Sequence, residues 1–143
     1  MRCYDTRETG RTPAFPMPIH CKLDDANERV HITSTGEVSV DEVLEAVNWQ
    51  AEHGAWSYGV LYDARDTISG PRAEDLLRLV TRVGALTAAH GPRGPVAFVL
   101  TAYHPLRTVG SQYSGLGELT AMNFKVFTDL DAAQRWLEQE RGL

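Results

Sequence analysis

The amino-acid sequence predicts a single α/β domain with a mixed, mostly parallel five-stranded sheet and the element order ββαβαβαβα. Three observations carry this. Residues 19–23 and 29–33 alternate apolar and polar around a short polar turn, as a β-hairpin does. Three apolar runs, "YGVLY" (58–62), "PVAFVL" (95–100) and "FKVF" (124–127), read as buried strands. Segments with apolar residues three and four apart separate these runs, and strands alternating with helices imply parallel pairing through right-handed crossovers.

Residues 1–17 mix polar residues with Pro13 and Pro16 and show no period, so they read as a flexible N-terminal arm ahead of a domain spanning 18–143. Ile19, Cys21 and Leu23 alternate with His20 and Lys22; "DDANE" (24–28) is turn chemistry, and "RVHIT" alternates again. Ser39, with Glu42 three residues on, forms a capping box, and Val38 is placed to staple onto Val43. The helix it opens carries Val40, Val43, Leu44, Val47 and Ala51 on one stripe and ends near Gly54.

After "YGVLY" the chain turns polar from Asp63 to Gly70, which predicts a loop. Pro71 suits a first helical position, with Glu74 and Asp75 at the positive end of the helix dipole. The predicted stripe is Ala73, Leu76, Leu77, Val80 and Val83, stopped by "HGP" after Ala89. Pro95 is tolerated because it opens its strand. Residues 105–122 predict a weaker helix through Leu106, Val109, Tyr113, Leu116 and Met122. Gly110, Gly115 and Gly117 weaken it by up to about 1 kcal/mol each. A last helix follows "FKVF", capped by Thr128 or Asp129, with Leu130, Ala133, Trp136 and Leu137 inward.

Composition narrows the function classes. The 143 residues are 43% hydrophobic and 23% charged, with a net charge of −5. That balance opposes nucleic-acid binding, which needs a clustered basic face. No run approaches the roughly 20 apolar residues of a membrane span. The first residues lack the apolar core of a secretory signal, so the expected location is cytoplasmic. In a reducing compartment a disulfide between Cys3 and Cys21, the only cysteines, is disfavoured. No metal-ligand spacing, nucleophile elbow or complete phosphate-binding loop is present, so no catalytic residue, metal or cofactor is assigned.

The candidate site residues gather in two loops. Ligands of open α/β sheets bind outside the carboxyl ends of the strands. The loop after "YGVLY" brings Arg65, Ser69 and Arg72 to that edge, and the loop after "PVAFVL" brings Tyr103, His104 and Arg107. Arginine and helix N-termini both suit anions, although the same charges could simply pair with Asp66, Glu74 and Asp75. Ser69 reads either as the cap of the helix opened by Pro71 or as a phosphoacceptor whose phosphate would add about −2 charge. Asp63 is expected to pair with Arg65 or to accept loop amides.

The hairpin, "GEVSVDEVLEAV", "VLYDAR", "VAFVL" and the closing "KVFTDLDAAQRWL" together resemble the SpoIIAA-like group related to STAS domains, over roughly residues 18–140. That resemblance implies a small, non-enzymatic cytoplasmic regulatory or protein-interaction module. Classical antagonists of that family carry a phosphorylatable serine in an Asp-Ser-(Ser/Thr)-Gly loop that opens the helix after a strand. Here "DTISG" (66–70) corresponds, with Thr67 and Ser69 near the acceptor position, Ile68 interrupting it and Pro71 following. The alternative is a binder of a small anionic or amphipathic ligand at the carboxyl edge of the sheet. The expected partners are therefore a protein or such a ligand, with a homodimer as a further option, and neither nucleic acid nor an integral membrane.

Overall fold

A computed structural model describes residues 4–5, 18–109, 111–112 and 123–141. Six strands form one mixed sheet in simple sequential order: β1 (Tyr4–Asp5), β2 (Ile19–Asp24), β3 (Arg29–Glu37), β4 (Gly59–Ser69), β5 (Val96–Val99) and β6 (Phe124–Phe127). Three α-helices are described: α1 (Val40–Glu52), α2 (Leu76–His90), entered through a 3₁₀ turn at Ala73–Asp75, and α3 (Leu130–Glu140). Residues 107–109 and 111–112 are also helical; the rest of the weak helix expected at 105–122 lies outside the described residues.

Five strands are those the sequence predicts. β2 and β3 form the antiparallel hairpin, and β3 to β6 pair in parallel. The sixth, β1, comes from the segment read as an arm and runs parallel to β2, with Asp5 opposite Cys21. Two residues carry no readable period, which is why the sequence conceals it. Cys21 is disulfide-bonded, against the expectation of a reduced thiol. That expectation came from a presumed reducing compartment, whereas the register of β1 runs the arm past Cys21. The other cysteine, Cys3, lies outside the described residues.

The larger correction concerns β4. It does not stop at Asp63 but continues through "DARDTIS" to Ser69, paired with an equally prolonged β3 up to Glu37↔Ser69. Register shifts after Thr33 and after Gly36, the latter at φ +68°, let this ribbon bend. Polar residues that resemble a loop are strand here because each ribbon edge satisfies the other's amides. Ser69 accordingly caps no helix: its carbonyl accepts Val38 N at 2.9 Å.

Sequential strand order with right-handed crossovers keeps successive helices on one face of the sheet. Val60 and Val96 on that face pack with Ala46 and Trp49 of α1, while Leu76 and Leu79 of α2 pack against Val43, Leu44, Val109 and Phe124. α3 covers the opposite face, where Ala133 and Leu137 meet Leu61, Ala97 and Val99. Both caps read from sequence are present: Ser39 with Glu42, and Asp129, which accepts from Asp131 N at 3.1 Å. On α2 the buried positions are Leu76, Leu79, Val83 and Leu86, while Leu77, placed on the inner stripe by the sequence, is 73% exposed.

Candidate functional site

The six residues expected at the carboxyl edge do not form one site. Arg65 is committed to Asp63, with Nε to Oδ1 at 2.9 Å and Nη2 to Oδ2 at 2.8 Å. That hydrogen bond holds the Asp63 carboxyl below the ordinary carboxylate range. Arg72 is exposed and lies 3.6 Å from Glu74. Arg107 donates from Nη1 to the Ala102 carbonyl at 2.7 Å. Ser69 is exposed at the end of β4, and Tyr103 is 98% exposed. His104 turns inward. Its Nδ1 accepts Leu106 N at 3.0 Å, so the ring proton sits on Nε2, which donates to the Thr67 carbonyl.

Beside that inward turn lies a half-open cavity the sequence did not announce. Between the sheet face and the α1–α2 layer lies a space of about 100 Å³. Its floor comes from the inward phases of β3, β4, β5 and β6, its wall from α1 and α2, and its outer end from Leu106 and Val109. Gly70 permits the close approach of Leu106: a Cβ there would stand 3.0 Å from Leu106 Cδ1. The space is far above the roughly 10–15 Å³ that one water requires. Tyr62 and Phe98 meet edge-to-face at 5.1 Å, and Phe98 and Phe124 pack at 5.7 Å, giving an aromatic floor.

One end of the lining is polar. Ser34 Oγ and Thr67 Oγ1, both buried, are 2.6 Å apart. The Tyr62 hydroxyl lies beside Ser34, and burial pushes the phenol up to about 12, so it stays protonated across the physiological range. Glu42 is near enough to raise it further. Glu42 Oε1 accepts from Ser39 N at 3.0 Å, while its buried Oε2 has no hydrogen-bond partner. Arg93 also lines the space, with its guanidinium on Gln50 Oε1 at 2.7 Å and over the Trp56 ring at 5.0 Å.

No family model, curated protein or solved structure matches the chain. The geometry therefore carries the functional argument alone.

Of the residues predicted from sequence, Thr67 and His104 belong to this cavity region, Thr67 through its lining and His104 through its hydrogen bond to Thr67. Ser34, Tyr62 and Glu42 were missed. A signal for two of them exists in the strand phase. Val30, Ile32 and Ser34 point one way along β3, and Val60, Tyr62 and Ala64 along β4, so a polar side chain on an inward phase marks the site. The expectation of an edge crevice also had a physical flaw. Such crevices open where strand order reverses, and this sheet runs in sequence without a reversal. Among the described residues no group of three or more His, Cys, Asp or Glu is placed to hold a metal, and no helix is long and apolar enough to cross a membrane.

Proposed function

We propose that the protein is a small-molecule-binding domain whose compact, largely apolar ligand occupies the cavity between the sheet and α1–α2. The observation that carries the reading is the space itself: about 100 Å³ of mainly apolar lining with one buried polar end. A ligand seated here removes apolar lining from water, which stabilises by about 25 cal/mol per Å² buried. The arrangement matches a ligand pocket in kind, with apolar walls and a few convergent polar groups. Native mass spectrometry of protein purified under mild conditions should find a retained small molecule in the wild type that Ala46→Leu, which fills the cavity, lacks. The same adduct in both proteins would place the ligand elsewhere and refute the reading.

A second reading, the regulatory module that the SpoIIAA/STAS-like resemblance implies, draws support from the outer surface. Ile68 (70% exposed) and Tyr103 (98% exposed) adjoin in sequence the two residues of the Thr67–His104 hydrogen bond. That hydrogen bond holds the two segments together, and exposed large apolar side chains that gather into one patch mark protein-docking surfaces. Under this reading, Ile68→Ser/Tyr103→Ser should abolish capture of a native partner, or self-association in sedimentation experiments, while leaving the cavity's ligand in place. An unchanged interaction profile would remove the support.

A further inference from the structure

Resting on the cavity reading, we infer that the clustered hydroxyls of Thr67, Ser34 and Tyr62 select a neutral ligand bearing an oxygen acceptor, a carbonyl or a hydroxyl, on an otherwise apolar body. Three hydroxyls bring three protons to one buried line. The 2.6 Å contact between Ser34 Oγ and Thr67 Oγ1 uses one. The Tyr62 phenol lies near Ser34 but makes no hydrogen bond of its own among the described residues, so its proton is one spare donor, and the accepting member of the Ser34–Thr67 pair keeps a second. All three residues line the cavity, so both spare donors belong to its wall. His104 consumes neither, because its Nε2 bonds the Thr67 carbonyl and leaves the hydroxyl alone.

Charge decides what the acceptor can be. A donor left unsatisfied in an apolar site costs more than a typical bond gains, so a ligand oxygen there is strongly preferred to a methyl group. A carboxylate is a poor candidate. The Glu42 carboxylate already acts on Tyr62 from nearby, and a second negative charge at this end would be repelled. The one cation of the lining, Arg93, is engaged by Gln50 and Trp56. The Ser34–Thr67 contact also polarises the hydroxyl that accepts in it, which strengthens that spare donor.

The test is calorimetric titration of the full chain with four matched probes: toluene, benzaldehyde, benzyl alcohol and benzoate. Benzaldehyde and benzyl alcohol should bind roughly three- to tenfold tighter than toluene, the range of one net hydrogen bond. Benzoate should bind more weakly than toluene. In Tyr62→Phe/Thr67→Val the advantage of the two oxygen probes should vanish while toluene binding persists, which also reports that the variant is folded; Tyr62→Phe alone then shows whether the phenol or the Ser34–Thr67 pair serves as the donor. Equal affinities for toluene and the oxygen probes, a preference that survives the double substitution, or benzoate as the tightest probe would each overturn the inference while leaving the cavity reading intact. Failure of toluene to bind the wild type would overturn that reading, and this inference with it.

Discussion

Filling the cavity with protein should stabilise the fold and abolish ligand binding at once. Ala46 lies on α1, is 1% exposed and lines the space. Ala46→Leu adds three carbon atoms. At about 0.8 kcal/mol per buried carbon their burial gains about 2.4 kcal/mol. Imperfect rotamers recover only part of it, so an increase of about 1–2 kcal/mol is expected. For 143 residues that corresponds to a rise of roughly 2–8 °C in melting temperature. Urea titration followed by circular dichroism should show a higher midpoint at an unchanged slope, and the variant should lose toluene binding. A loss of 1–3 kcal/mol instead, of the order typical for overpacked cores, would mean that the space does not exist as described and would refute the reasoning.

Further predictions concern single groups. Tyr62, raised from 10.0 to about 12 by burial, favours the folded state while protonated; its contribution is complete below pH 10 and lost as pH climbs through 12. The wild type should therefore lose about 2.3 kcal/mol more than Tyr62→Phe between pH 9 and pH 12, measured by denaturant titration at each pH; parallel profiles would contradict the burial of that hydroxyl. His31 is depressed below 6.5, first by burial and then by Arg29, with Asp24 opposing. Its contribution is present above pH 6.5 and falls away as pH drops through the folded-state value, so His31→Gln should flatten the acid limb of the stability curve. Ser39→Ala should cost about 1 kcal/mol by removing the cap of α1. Gly94→Ala should cost at least about 3 kcal/mol, because its Cβ would lie 2.1 Å from the Tyr58 carbonyl oxygen and the backbone would have to move; a neutral outcome would contradict that close approach.

Elements with a strong period were legible. The capping box at Ser39 and Glu42 and the run "VAFV" appear where the residues place them, and "FKVF" is a strand as expected, but as the edge strand it has no fully buried residue. The prolonged β3–β4 ribbon was not, since "TSTGE" and "DARDTIS" are stabilised by each other's backbone and carry turn-like composition. Leu77 shows how a helix stripe slips by one residue when Leu76 and Leu77 are adjacent and both apolar: only the tertiary contact of Leu76 and Leu79 decides the phase. The same limit hid the site. Ser34 and Tyr62 come from different strands, and their meeting depends on the register that sets Ile32 against Tyr62. No local spacing records a juxtaposition of that kind.

The most direct test is a toluene titration of the full chain followed by methyl-resolved NMR. The account predicts saturable shifts at Val60, Leu76, Leu106 and Val109, which line the cavity, with Leu61 and Leu137 on the opposite face unmoved. Saturation with no shift at those four methyls, or shifts centred on the α3 face, would contradict it.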